Sequence, residues 1–348
     1  MKILVTGGAG FIGSNFIKYI LKNYADDSIV NFDKLTYAGN LENLKDIEKD
    51  ARYSFVQGDI CDFNALSQAS KNVDAIVHFA AESHVDRSIH SSKEFLDSNI
   101  YGTQNVIDLV RELAPTSPNP SSGRRGEFRY IHIGTDEVYG DIESPKKSKF
   151  GDGLCPSSPY SASKAAADML VIAAIRTHNI PAIITHCTNN YGPYQFPEKL
   201  IPVFITNALE GKKLPLYDGG MQIRDWLYVE DHCKAIDLAL RKGKIGEVYD
   251  IAAENEPEVT NKQITDVILN LLNLGQDMIE PVTGLRPGHD QRYAVDSSKI
   301  RKELGWKPSV NLEQGIKQTV QWYKENQPWW ERVKSGEYKD YYKKQYKE

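Results

Sequence analysis

The chain has 348 residues, 41% of them hydrophobic, enough for one large core or, more readily, two domains of unequal size. Its 42 basic and 47 acidic residues leave a net charge of -5, which excludes a blanket attraction to nucleic acid or to an anionic membrane. Cys61, Cys155, Cys187 and Cys233 are scattered without a short paired spacing, so neither a disulfide framework nor a metal site is expected, and a reducing compartment fits. The opening MKILVTGGAGFIG lacks the apolar run of a secretory peptide and no later run reaches roughly 18 residues, so the expectation is a cytoplasmic protein with no membrane partner.

In chain order, Lys2 to Thr6 reads as a strand and Gly7, Gly8, Gly10 and Gly13 as a tight turn into a helix that begins near Phe11. Bare backbone there can approach a pyrophosphate, whose charge suits the unpaired N–H groups at a helix start. The spacing Gly7, Gly10, Gly13 differs by one position from the common dinucleotide pattern, and a glycine cluster alone can also be a plain turn. The next strand, Ser28 to Phe32, ends at Asp33, placed to accept hydrogen bonds from a ribose and to disfavour a 2′-phosphate, which favours NAD over NADP; Lys34 weakens that preference. Tyr53 to Gln57 is a third strand running into Gly58, Asp59 and Ile60, where Asp59 either contacts an adenine edge or caps a turn. A fourth, Ala75 to Phe79, exits through Ala80, Ala81, Glu82, Ser83 and His84, small enough to let a flat cofactor pass. Strands alternating with helices predict an α/β doubly wound parallel sheet.

Glu94 to Leu113 reads as a helix carrying Asn99, a possible cofactor neighbour, and Ala114 to Glu127 as an exposed loop whose Arg124 and Arg125 are surface groups. Arg129 to Gly140 is a strand that breaks at Gly134 and ends in Thr135, Asp136 and Glu137; acids just past a strand end face the ligand crevice of such a sheet. After a polar loop over 141–159, Tyr160 and Lys164 stand four apart on a helix. An ammonium beside a phenol is expected to lower the phenol's pKa and make Tyr160 a base, although the same spacing also describes an ordinary surface pair. Pro181 to Thr185 is a strand, Cys187 to Pro202 a proline and aromatic loop resembling a sugar-facing wall, Leu214 to Tyr217 a strand and Val229 to Leu240 a helix. Arg224 is a candidate for a diphosphate, and Thr283 to Tyr293 offers Arg286, His289 and Arg292 in one loop. The segment from Asn326 reads as a packed helix end followed by a solvated tail.

The glycine turn, the Tyr160 and Lys164 pair and TDEVYG at 135–140 resemble the dTDP-glucose 4,6-dehydratases of the extended short-chain dehydrogenase/reductase (NAD-dependent epimerase/dehydratase) family. The resemblance spans residues 1 to about 325 and includes DKLTYAGN from Asp33, AAESHVDRS from Ala80, NNYGPYQFPEKLIP from Asn189, RDWLYVEDH from Arg224 and RPGHD from Arg286. It implies a Rossmann-type NAD-binding domain over 1–185 with segments returning around 225–252, a smaller mixed α/β nucleotide-sugar domain over 186–325, a tail over 326–348, and a homodimer built through the helices of Asn99 to Val110 and Tyr160 to Ile175.

The implied chemistry is the conversion of dTDP-glucose to its 4-keto-6-deoxy product. Tyr160, with Lys164 and Thr135, would deprotonate the 4-hydroxyl as hydride leaves for NAD; Glu137 would remove the C5 proton and Asp136 protonate the departing 6-hydroxyl, after which hydride returns to C6. By the same resemblance Gly7, Gly10, Phe11, Ile12, Gly13, Asp33, Lys34, Leu35, Thr36, Asp59, Ile60, Ala80, Ala81, Ser83, Asn99, Tyr160, Lys164 and Asn190 would line NAD. His84, Thr135, Asn189, Glu198, Lys199 and Leu200 would meet sugar or diphosphate, and Pro215, Tyr217, Arg224, Asn255, Arg286, His289 and Tyr293 the nucleotide. One departure is Gly134, where relatives usually carry a small hydroxyl residue. A UDP-glucose dehydratase, a 4-epimerase needing no acid and base at Asp136 and Glu137, and a binding protein on the same fold are the competing readings.

Overall fold

The computed structural model describes residues 1–114, 128–284 and 287–335. The expected loop of 115–127 with Arg124 and Arg125, the Arg286 position and the tail beyond Ser335 lie outside the described residues. Seven strands form one sheet in the order Val248–Ile251, Ala182–Cys187, Arg129–Ile133, Ala75–His78, Lys2–Thr6, Ser28–Asp33, Tyr53–Gln57, and every neighbouring pair is parallel. Strand residues alternate between two cores. Ile3, Val5, Val77, Ile131 and Ile183 face the helices Phe11–Asn23 and Val229–Lys242, whereas Leu4, Ile76, Tyr130 and Ile184 face Thr103–Leu113 and Pro159–His178. Burial on both faces is why these strands are nearly continuous apolar runs, as a doubly wound sheet requires.

The strand order reverses between Lys2–Thr6 and Ala75–His78, and the chain leaves them through Gly7 and Gly8 and through Phe79, Ala80 and Ala81. A crevice opens at such a switch point because successive helices go to opposite faces. Gly7 has φ +71, and a Cβ on it would lie 2.5 Å from the Ala80 nitrogen; a Cβ on Gly13 would lie 2.4 Å from the Gly7 oxygen. Only glycine lets these segments close on one another.

A third core of Tyr191, Phe204, Ile205, Ile264, Val320, Tyr323 and Trp330 belongs to the smaller C-terminal part. The stretch read as a loop from Cys187 contains a short strand, Asn189–Tyr191, paired parallel to Trp226–Tyr228, and Pro202 lies in the first turn of the helix Leu200–Leu209. The expected tail begins as a packed helix, Gln327–Val333, with Trp329 and Trp330 buried. The helix expected from Glu94 is interrupted by a π-helical stretch, Leu96–Gly102, before continuing as Thr103–Leu113.

Candidate active site

The switch point and the smaller core enclose a cavity of about 470 Å³. Its wall includes Gly7, Gly10 and Phe11 to Gly13 from the glycine turn, Asp33, Lys34, Thr36, Asp59 and Ile60 from the adjoining strand ends, and Ala80, Ala81, Ser83 and His84 from the fourth. Thr135, Asp136, Glu137, Tyr160 and Lys164 meet it from the end of the strand Arg129–Ile133 and from the helix Pro159–His178, and Asn189, Asn190, Glu198, Lys199, Leu200, Pro215, Tyr217, Arg224, His289 and Tyr293 from the opposite side.

Three candidates stand off that wall. Asn99 is buried and braces instead: its amide donates to the Glu82 oxygen at 3.0 Å and to Ser163 Oγ at 2.8 Å, while its oxygen accepts from the Glu82 nitrogen at 2.9 Å. The π-helical stretch projects it there, clamping the fourth strand exit to the Tyr160 helix. Leu35, at φ +57, donates its N–H to Asp33 Oδ1 at 2.7 Å, and Asn255 bonds Asp225 and the Trp226 oxygen.

At the cofactor end, Asp33 accepts from the Ala9 and Leu35 nitrogens, and burial raises its carboxyl above the usual range against those bonds. Lys34 is tied to Asp59 at 2.6 Å, so the cation that blurred the NAD preference already has a counter-charge. Asp59 also accepts from the Cys61 nitrogen as a turn cap does.

The end of the strand Arg129–Ile133 is built locally. Ser158 and Ser161 form a capping box with Pro159 in the first turn, which fixes the helix Pro159–His178 and sets Tyr160 and Lys164 at its mouth. Thr135 caps the 3-10 turn Asp136–Tyr139 by accepting from the Glu137 nitrogen, and its hydroxyl also pairs with Tyr160. Lys164 Nζ donates to the Ile133 oxygen at 2.6 Å.

Asp136 is 3% exposed and its Oδ2 has no hydrogen-bond partner. Burial first, and the Glu137 charge second, push this carboxyl well above the usual carboxylate range. A neutral acid beside another carboxyl is the division of labour that one proton donor and one base require. Tyr160 departs from the expectation that Lys164 lowers its pKa. Burial and then Glu137 push the phenol well above its ordinary value, and only the Thr135 hydrogen bond pulls it back. Lys164 is itself desolvated, which lowers its own pKa, and its Nζ is bonded to the Ile133 carbonyl and not to the phenol.

Across the cavity, Glu198 is buried and raised to about 7 by desolvation, with Lys199 and Arg87 opposing. Its Oε2 stands 3.9 Å from His84 Nε2, and Lys199 Nζ donates to the Ser83 oxygen. Arg224 lies over the Tyr293 ring at 4.2 Å and donates to the Asp290 and Gln291 oxygens. Of the cations expected in the 283–293 loop, His289 reaches the cavity and contacts Asp86 at 3.0 Å, whereas Arg292 is buried against Glu258 and the Ile142 and Lys146 oxygens and ties down the loop at 141–146. The sequence reading missed Gln195, Gln222 and Asn261, which also line the cavity. Gln195 was visible within NNYGPYQF; Asn261, the first residue of a helix, carried no chemical signal.

A parallel sheet with a glycine-lined switch point, and a tyrosine and lysine one turn apart facing it, define a nucleotide-binding enzyme of the short-chain dehydrogenase/reductase type. A family model described as GDP-mannose 4,6 dehydratase matches residues 4–319, and the chain belongs to that family. It is 49% identical to a dTDP-glucose 4,6-dehydratase of Shigella flexneri over 99% of each chain, and 49% identical to one of Neisseria meningitidis serogroup B over 97% of each. The crystal structure of a dTDP-glucose 4,6-dehydratase from Streptomyces venezuelae with NAD bound superposes with a TM-score of 0.89 at 45% identity, covering 96% of this chain and 100% of that one. A UDP-glucose 4-epimerase of Thermus thermophilus, 24% identical with a TM-score of 0.82, shares the fold.

Proposed function

We infer that this chain is an NAD-dependent dTDP-glucose 4,6-dehydratase, a hydro-lyase that converts dTDP-glucose to dTDP-4-keto-6-deoxyglucose. The observation that carries this reading is the Asp136 carboxyl, buried, unpartnered at Oδ2 and biased toward its protonated form beside Glu137. An epimerase has no use for such an acid, because it eliminates no water.

NAD fits the residues present: Gly7 and Gly13 leave no room for a side chain where backbone must pass, and buried Asn189 and Asn190 side-chain oxygens lack partners on the facing wall. Gly7, Gly10, Gly13, Asp33, Asp59, Ala80 and Asn190 would hold it, and when bound it supplies the hydride acceptor for C4 and the hydride donor for C6. The chain's own groups handle the protons. Tyr160 takes the 4-hydroxyl proton, with Thr135 hydrogen-bonded to the phenol and Lys164 one turn below, and the positive charge of the cofactor, when bound, would offset the burial and the Glu137 charge that hold the phenol up. Glu137 removes the proton that the 4-keto group has made acidic at C5 and returns it to C5 once hydride has reached C6. Asp136 delivers its proton to the leaving 6-hydroxyl, which departs as water. Glu198, Lys199 and His84 face the sugar, and Arg224, His289 and Tyr293 the nucleotide end.

Two further readings rest on the same chain. Leu96, Tyr101 and Met169 are large apolar side chains left exposed on the 96–102 stretch and the Pro159–His178 helix, which supports a homodimer through those helices. The four free cysteines support a reducing, cytoplasmic location. The test of the activity is incubation with dTDP-glucose. Formation of a 4-keto-6-deoxy nucleotide sugar, absorbing in alkali, is expected; conversion only to the galactose epimer overturns the reading.

A further inference from the structure

Tyr160, Lys164 and Asp168 follow one another at single-turn spacing along the same helix, and only the first two belong to the reaction. Asp168 is 1% exposed and lies at the centre of a charged cluster inside the sheet. Its Oδ2 meets His186 Nε2 at 3.1 Å, and its Oδ1 stands 3.2 Å from His132 Nε2 without hydrogen-bond alignment. On the far side of the imidazole, His186 Nδ1 stands 2.9 Å from the Tyr139 hydroxyl and 3.3 Å from Asp250 Oδ1, and Tyr139 donates to that same carboxylate oxygen at 2.8 Å. Asp250 Oδ2 accepts from the Phe150 nitrogen.

An imidazolium at His186 satisfies every contact around the ring, whereas a neutral ring does so only by drawing the Tyr139 proton away from Asp250. A neutral ring donating from Nε2 to Asp168 would turn a lone pair at Nδ1 toward Asp250, whereas a cation donates at both ends and leaves the Tyr139 proton for Asp250. Burial works against that charge, but the Asp168 and Asp250 carboxylates push it up to about 10. Asp168, His186 and Asp250 thus form a row of anion, cation and anion that starts one helical turn beyond Lys164 and connects the base-bearing helix to Tyr139 in the turn of Asp136 and Glu137.

We propose that Asp168, held by His186, is a positioning residue that supplies the counter-charge for Lys164 and fastens the Tyr160 helix to the Asp136–Tyr139 turn. The groups bearing on Lys164 are Asp168 from its own helix, His78 and His132 from the neighbouring strands and Cys187 from the strand Ala182–Cys187, while Tyr160, Asp136 and Glu137 share its cavity wall. Asp168 is the carboxylate that favours the ammonium against its desolvation. The role in catalysis rests on the dehydratase reading, but the charge coupling does not.

The test reads Lys164 itself, by 13C NMR titration of its Cε resonance in the purified holoprotein, assigned by Lys164→Met. Asp168→Asn removes the anion, and His186→Gln removes the cation that keeps buried Asp168 ionised, so the lysine pKa should fall in both, by about one unit or more in the first. In turnover the alkaline limb of C4 oxidation should move the same way in each, with the KM for dTDP-glucose within about twofold. A lysine pKa that does not fall in Asp168→Asn, or that rises in His186→Gln, overturns the proposal. Should Asp168→Asn fail to fold, His186→Gln decides alone, an unmoved titration being the adverse result. Loss of turnover in the parent protein would overturn the dehydratase reading and leave the titration result standing.

Discussion

His186 lies directly against Gly134: a Cβ on that glycine would come within 2.4 Å of His186 Cδ2 and 2.9 Å of the Thr185 oxygen. The imidazole cannot swing away, because Asp168 holds one nitrogen and Tyr139 with Asp250 the other. The glycine that departs from the usual small hydroxyl residue is therefore explained by a side chain distant in sequence.

Gly134→Ser should accordingly destabilise the protein by about 1–3 kcal/mol through overpacking. Thermal unfolding measures it, as a drop in Tm of roughly 2–10 °C. A Tm equal to that of the parent would mean that the imidazole moves freely, contrary to its bonding.

For Asp136, the sign of the pH effect follows from a folded-state pKa raised above the unfolded one. Stability from this group is fully present below the unfolded value, about 4, and is lost as pH rises through the folded value. Asp136→Asn, which cannot ionise, should gain Tm over the parent at and above neutral pH but not below about pH 4, while elimination slows by about 10²–10⁴-fold. A Tm difference that does not change with pH would count against a buried proton on Asp136.

Glu137→Gln should still oxidise C4 but stall before water leaves. Rapid-quench analysis should find the 4-keto-glucose nucleotide accumulating, without exchange of the C5 hydrogen into solvent. Because the Glu137 charge is, after burial, the main influence raising the Tyr160 phenol, removing it should move the acidic limb of C4 oxidation to lower pH. Normal turnover would take Glu137 out of the C5 role.

Trp329 reaches the cofactor turn from the C-terminal helix. Its Nε1 donates to Asn43 Oδ1 at 2.9 Å, and Asn43 in turn donates to the Ala9 oxygen at 3.0 Å. Trp329→Phe leaves a buried acceptor unpaired, at a cost of about 1–3 kcal/mol. Cofactor content after exhaustive dialysis should fall relative to the parent while the far-ultraviolet spectrum stays the same.

Thymine differs from uracil by one methyl group, and the two donors also differ at the ribose 2′ position. A hydrophobic contact of that size discriminates by about 10–200-fold, so kcat/KM for UDP-glucose should fall in that range below dTDP-glucose. Equal values for the two donors would remove the dTDP preference.

Local order along the chain was enough for much of this protein. A strand, a glycine turn and a helix follow one another within the first 23 residues, and Tyr160 and Lys164 face one way because a helix turns every 3.6 residues. The pairing of Thr135, Asp136 and Glu137 with that helix was legible too, since strand ends of a parallel sheet share one edge. What the tertiary structure alone decided was the state of those groups. Tyr160 is raised rather than lowered, Asn99 braces a strand exit, Arg292 is a loop anchor, and Gly134 answers to His186. Each depends on burial and on partners dozens to hundreds of positions away, and desolvation and pairing set a charge only once the fold has chosen its neighbours.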